Sequence, residues 1–238
     1  MADLQQRFSV PLYSVSEAAR YVGVPVSTFT TWGRGYVRHR PSGVDSVGTP
    51  IVTFVGDAGN GAVVPFVGLA EGLVLAAFRR AGVPLQRIRP ALQRIQEELG
   101  VERALASQRL YTDGAEVLYD FAEESGDTPE GRSARELVVV RHGQRVFAEV
   151  VEAYLHRVEY APDGYARLIR LPHYRTAEVV ADPDRGFGQP VFARGGARVE
   201  DVLSMFKAGE PLEVVSEEFG VPLLELEDAV RVALRPAA

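Results

Sequence analysis

Residues 13–32 read Tyr-Ser-Val-Ser-Glu-Ala-Ala-Arg-Tyr-Val-Gly-Val-Pro-Val-Ser-Thr-Phe-Thr-Thr-Trp, and this stretch leaves the chain little freedom of local fold. Ser14 and Glu17 have the spacing of a capping box: the serine oxygen accepts a free amide of the first turn and the glutamate reaches back to the cap residue. Val15, Ala18, Ala19 and Val22 recur at i, i+3, i+4 and i+7, the stripe of one helix face. Gly23 follows, where a left-handed residue ends a helix at least cost. Pro25 sits where a second helix opens, with Phe29 and Trp32 on its inner side. The spacing predicts two short helices joined by a tight turn.

The second helix would turn Ser27, Thr28, Thr30 and Thr31 outward, all small and hydroxylated. Arg34, Arg38 and Arg40 follow at once. Hydroxyls on an exposed helix suit base edges, and arginines beside it supply the phosphate contacts that set its register. The stretch resembles the opening of MerR-type winged helix-turn-helix domains. That resemblance implies that Ser27, Thr28, Thr30, Thr31 and Arg34 lie at the major groove, with Arg38 and Arg40 on or near a hairpin wing. The wing region is glycine-rich (Gly43, Gly48, Gly56, Gly59, Gly61), and Ile51–Val55 reads as a strand within it.

The most helical stretch runs from Phe66 to Leu99. Leu69, Leu73, Ala76, Ala77 and Arg80 lie along one side of a first helix, and Gly82-Val83-Pro84 breaks it. Leu85, Ile88, Leu92, Ile95 and Leu99 keep the spacing of an amphipathic second helix. The segment Phe78–Arg89 is similar to the second helical pair of MerR-type domains, and it adds Arg79, Arg80, Arg87 and Arg89 as further phosphate candidates. The polar, turn-rich interval 120–135 marks a boundary, giving domains of 1–119 and 136–238. Beyond it, Leu137–Arg141 and Arg145–Ala148 read as a hairpin, residues 146–155 as partly helical, and Tyr165–Leu171 as an alternating strand.

The tail carries three short helical patterns. Val199, Val202, Leu203 and Phe206 stripe the first. Leu212, Val215 and Phe219 stripe the second. Leu224, Ala229, Val230 and Ala233 stripe the third, which Pro222 opens. This outline is again helix-turn-helix, but Glu225, Glu227 and Asp228 would give the last helix an acidic face that repels phosphate. Charge supports the contrast: residues 1–50 hold five arginines against three acids, whereas residues 191–238 hold five basic against nine acidic residues. A basic start and an acidic end predict different partners for the two ends.

Asp182-Pro183, Gly188-Gln189-Pro190-Val191, Ala197-Arg198 and Ala208-Gly209-Glu210 resemble a small domain of unknown function common in bacterial antitoxins. A MerR-like front joined to this domain is the layout of VapB-type antitoxins, which pair with PIN-domain ribonuclease toxins. The resemblance implies operator DNA and such a toxin as partners, and names Arg194 and Arg198 as candidates for contact with the toxin's clustered carboxylates. The expected fold is mainly α with small β elements: an N-terminal winged helix-turn-helix and a C-terminal three-helix module preceded by short strands. A homodimer is expected too, because one recognition helix reads too few bases for useful specificity. Its contact would lie in the Leu85–Leu99 helix or the C-terminal module.

With 46% hydrophobic and 24% charged residues the chain has the material for a real core. It has no cysteine, which removes disulfides and thiolate metal sites. His39, His142, His156 and His173 are scattered, with no i, i+4 pair to ligate a metal, so neither metal nor cofactor is expected. No signal peptide or spanning helix is read, and the expected compartment is the cytoplasm. Two other readings stand beside the antitoxin. One is a free-standing MerR-like regulator whose C-terminal half senses a ligand or dimerises. The other is an enzyme using Asp182, Asp184 and Glu200, or Asp113 and Glu116, as paired acids. No motif frames those acids, so no catalytic residue is named.

Overall fold

The computed structural model describes residues 3–38, 46–56, 61–113, 126–129, 131–132 and 156–234. The expected hairpin at 137–148 and the helix at 146–155 lie outside these residues, as do Arg40, Glu116 and most of the expected boundary at 120–135. The architecture is mainly α with small β elements, as expected. The front comprises α1 (Leu4–Ser9), β1 (Pro11–Tyr13), α2 (Val15–Val22), α3 (Val26–Arg34), β2 (Tyr36–Arg38), β3 (Ser46–Gly48), β4 (Val64–Pro65), α4 (Phe66–Arg80), α5 (Leu85–Leu99) and the single turn α6 (Arg109–Thr112). A four-stranded antiparallel sheet follows, β5 (Val158–Tyr160), β6 (Ala166–Arg170), β7 (Val179–Ala181) and β8 (Val191–Phe192), each strand paired with the next. Three helices close the chain: α7 (Val199–Lys207), α8 (Leu212–Phe219) and α9 (Leu223–Ala233).

One corner is used three times. Gly23-Val24-Pro25 joins α2 to α3, Gly82-Val83-Pro84 joins α4 to α5, and Gly220-Val221-Pro222 joins α8 to α9. The glycines are left-handed at φ 75°, 83° and 62°, a region in which a Cβ is costly. Each proline is the N-cap of the next helix, extended at ψ 142°, 147° and 139°. Its fixed φ suits the first turn, where its missing N–H leaves no orphan donor. Between them the valine points inward, with Val83 7% and Val221 1% exposed.

Helix α4 departs from the expected one-sided stripe. Every residue from Phe66 to Phe78 is buried, so α4 is the central helix and other elements cover it all round. Gly72 lets the Phe29 ring of α3 lie directly on the α4 backbone, since a Cβ there would stand 2.4 Å from Phe29 Cε2. The α5 stripe is also covered within the chain: Ile88 is 2%, Ala91 4%, Leu92 9% and Ile95 1% exposed. These side chains therefore leave no apolar seam for a second copy.

The expected strand at Ile51–Val55 does not form. The Ile51 and Val52 amides instead donate to Trp32 O, at 2.8 and 3.0 Å, where α3 ends. Phe54 then lies over Gly33 and stacks on Phe29 at 5.9 Å between ring centroids. Helix capping and ring packing take the place of a ladder. Beneath this segment the buried Glu71 carboxylate of α4 accepts the Thr53 amide at 2.6 Å. Burial pushes the Glu71 pKa up to about 7, against the pull of the Thr53 amide and the Arg103 charge.

That shift has a definite sign for stability. The folded pKa lies above the unfolded 4.5, so the folded protein holds the proton more tightly. The contribution is fully present below pH 4.5 and is lost as pH rises through 7. Unfolding free energy measured in urea is expected to fall by about 3 kcal/mol from this group alone between pH 4.5 and 8. Glu71→Gln removes that slope and raises stability at pH 8. Parallel pH profiles for the two proteins would refute the assignment.

The front and the C-terminal elements share one buried cluster running from Tyr13 to Ala229. Arg7 of α1, 2% exposed, donates to Tyr165 O at 3.2 Å and Ala166 O at 2.8 Å and pairs with Asp163. The Phe8 ring meets Tyr165 edge-on at 4.9 Å. Tyr13 and Tyr21 donate to Gly188 O and Gln189 Oε1 at 2.7 and 3.0 Å. His173 Nε2 lies 3.1 Å from Tyr21 O, which gives this histidine a structural partner. α1 thus grips the β5–β6 hairpin, and the loops that precede β7 and β8 meet β1 and α2 through His173, Gly188 and Gln189.

Candidate functional site

The outer surface of α3 is built from its inner one. Phe29 and Trp32 are 0% and 1% exposed, which fixes the helix rotation. Ser27 and Arg34 are then exposed, and Thr28, Thr30 and Thr31 half-buried on the outer side. The Ser14–Glu17 capping box forms in full, which fixes where α2 begins. Two hydroxyls behave differently from the sequence reading. Thr30 Oγ1 donates to Val26 O and Thr31 Oγ1 to Ser27 O, both at 2.8 Å. Their protons are used inside the helix, and what they offer outward is a methyl group and an acceptor oxygen. Ser27 and Thr28 make no such bond.

The wing expected after α3 is the β2–β3 hairpin, paired Tyr36↔Gly48, Val37↔Val47 and Arg38↔Ser46. Arg38 therefore lies on the wing. Val37 and Val47 face one another across it at 58% and 67% exposure, a cross-strand apolar pair beside the α3 surface. Arg89 of α5 clamps the base of this hairpin: its Nε donates to Thr49 O at 3.1 Å and its guanidinium lies 5.4 Å from the Tyr36 ring centroid. Sequence reading had placed Arg89 among the phosphate candidates, and the structure makes it a wing support. Arg80 Nη2 donates to Val22 O at the end of α2 at 2.7 Å, and Arg79 Nη1 to Val83 O at 3.2 Å. Both brace Gly-Val-Pro corners.

At the other end the acidic face needs correcting. Glu225 and Asp228 of α9 are 9% and 2% exposed, so of the three expected acids only Glu227 faces solvent. The apolar stripe shifts with them: Leu224 is 67% exposed, and Leu226, at 0%, takes its place in the core. Asp228 Oδ2 accepts the amides of Arg175, Thr176 and Ala177 at 2.6, 2.8 and 3.1 Å. The exposed acids sit mainly on α7 and α8: Glu200, Glu213, Glu217 and Glu218. The predicted contact residues already have internal partners. Arg194 Nη1 is 3.9 Å from Glu225 Oε1, and Arg198 grips Asp201 in a fork at 2.9 and 2.6 Å.

Of the acids considered for catalysis, Asp182 and Asp113 have local partners. Asp182 is 5% exposed and its Oδ1 accepts the Asp184 amide at 2.9 Å in a turn, while Asp113 pairs with Arg109 at 3.0 Å. Among the described residues no cluster of three or more His, Asp or Glu is placed to hold a metal.

Comparison with known proteins bears on both ends. The family described as "Putative DNA-binding HTH domain" matches residues 11–92, and that described as "Protein of unknown function (DUF433)" matches residues 179–233. A Mycobacterium tuberculosis protein named "Putative antitoxin VapB45" is 51% identical over 231 residues, covering 96% of each chain. The chain belongs to the VapB-type antitoxin family. A second M. tuberculosis protein, named "Uncharacterized protein Rv2308", is 28% identical over 229 residues, covering 92% of this chain and 88% of that one. The crystal structure of Rv2018 from M. tuberculosis superposes with a TM-score of 0.79 at 47% identity, over 94% of this chain and 99% of that one. The chain thus carries a DNA-binding helix-turn-helix in front, and the match takes in α2, α3 and the β2–β3 wing. Among the described residues no helix is long and apolar enough to cross a membrane.

Proposed function

We propose that this member of the antitoxin family binds operator DNA through α3 and the β2–β3 wing and neutralises a PIN-domain ribonuclease by direct protein contact. One observation carries the DNA half. A helix pinned on its inner side by Phe29 and Trp32 faces solvent with Ser27, Thr28 and Arg34 and runs straight into a hairpin bearing Arg38. Ser27 and Thr28, with unused hydroxyl donors, are assigned to base edges. Arg34, Arg38 and Arg40 are assigned to phosphates, and Thr30 and Thr31 to apolar contact through their methyls. Family membership supports the second half, and Arg194 and Arg198 remain the residues assigned to the ribonuclease contact. The protein acts as a homodimer on two half-sites, with no cofactor and no catalytic step of its own. The reading places it in the cytoplasm, as two domains, 1–119 and 136–238.

The test is binding of the full chain to duplex DNA from upstream of its own reading frame, followed by fluorescence anisotropy across salt. Arg34→Ala is expected to weaken all duplexes about equally and to lower the salt slope by about one. Ser27→Ala is expected to act on the preferred sequence alone. Equal, weak binding to every duplex by the unaltered chain would overturn the DNA half. A free-standing regulator would differ by binding its operator with no partner protein and in a ligand-dependent way.

A further inference from the structure

Among the described residues Phe187 is the single non-glycine with positive φ, at φ 55° and ψ 36°. It is also 87% exposed, more than any other large apolar side chain described. Each property has a cost. A bulky L-residue is disfavoured in the left-handed region, and an aromatic ring in water gains nothing from burial. A site that combines the two is held so by its surroundings.

Those surroundings are specific. Gly186 and Gly188 flank the ring at φ 55° and 78°. A Cβ at Gly186 would stand 2.9 Å from Val191 Cγ1, and one at Gly188 2.8 Å from Leu12 Cδ1. The buried Tyr13 hydroxyl donates to Gly188 O at 2.7 Å, and Tyr21 holds Gln189 at 3.0 Å. Both tyrosines come from the front of the chain, so the turn is clamped from behind and the ring stands alone in front. Two arginines lie near the backbone of this region. The Arg198 stem lies 3.6 Å from the Cβ position of Gly186. Arg185 Nη2 lies 3.3 Å from that of Gly196, and Arg185 makes no ion pair among the described residues.

We propose that Phe187 is the anchor by which this chain grips its protein partner, entering an apolar pocket rimmed by carboxylates on the ribonuclease it neutralises. The inference rests on the antitoxin reading above and adds the docking point. Large aromatics with flanking arginines are the residues that dominate interface energetics, and uncompensated Arg185 selects an acidic rim. The region lies within the matched segment of unknown function, residues 179–233.

The test uses the full chain and, as probe, the purified product of the reading frame adjoining its own. Phe187→Gly is the decisive variant, because glycine takes the same backbone conformation freely. Its melting temperature is expected to equal or exceed that of the unaltered chain, while Kd for the probe rises at least about 30-fold. Phe187→Leu is expected to lie between the two. Arg185→Glu is expected to slow association and remove its salt dependence. Binding of Phe187→Gly within threefold of the unaltered chain overturns the anchor. So does a lower melting temperature for that variant, which would make the ring structural. Loss of a dimer in the variant's sedimentation, with the probe absent, would make a second copy the occupant. If the unaltered chain itself fails to bind the probe, the antitoxin reading falls and the anchor with it.

Discussion

Arg7→Ala is expected to cost about 3–4 kcal/mol of folding free energy, the range for removing one member of a buried ion pair, lowered a little because Asp163 is one-third exposed. The guanidinium does three things at once: it neutralises Asp163 and donates to Tyr165 O and Ala166 O. Alanine leaves two carbonyls without their donor and Asp163 without its cation. Lysine is no substitute, since one ammonium cannot fork across three acceptors set by a planar group. Urea unfolding followed by far-UV circular dichroism reads the loss as a lower midpoint at unchanged slope. The loss is expected to be cooperative across the whole chain, because α1 and the sheet belong to one core. A loss under 1 kcal/mol would show that α1 is merely resting on the hairpin.

Asp228→Ala is expected to have the second large effect, about 3 kcal/mol, from three backbone amides left without an acceptor. Asp228→Asn keeps an acceptor oxygen but not the charge, and is expected to lose roughly half as much. Protonation gives an independent check. Burial alone would raise the Asp228 pKa, but the amides of Thr176, Ala177 and Arg175, together with Arg231, outweigh it and hold the carboxyl below its usual 3.8. A depressed folded pKa means a contribution present above pH 3.8 and lost as pH falls through the lower folded value. The unaltered chain should therefore lose more stability on acidification than Asp228→Asn does. Equal acid sensitivity in the two would remove the carboxylate from its assigned role.

The features read correctly from sequence are the local ones. Ser14, Glu17, Gly23 and Pro25 act on their own neighbours within a few residues, and their structure follows from helix-end chemistry alone. Phe29 and Trp32 were legible because an exposed helix has one inner side. α4 was not, because periodicity shows that one face is apolar but not that Phe29, α1 and β4 cover the rest. The charges of α9 misled for a related reason. Glu225 and Asp228 read as solvent-facing because acids usually are, but Asp228 is inward because amides just over fifty residues away need an acceptor. Arg7 and Phe187 carried no pattern at all. One is a lone arginine with partners over 150 positions away, and the other lies in a glycine-flanked turn whose hydrogen-bond partners, Tyr13 and Tyr21, are just as distant in sequence.

That same reach across the chain sets an order on synthesis. A nascent chain can close a unit only when its contacts have emerged from the ribosome. α1 waits for residues 163–166, and the Tyr21 hydroxyl of α2 waits for Gln189. The helix-turn-helix, translated before the sheet, is finished only with it. A molecule whose front has closed has therefore already made the turn that carries Phe187, so a truncated early product would lack both ends rather than keep one.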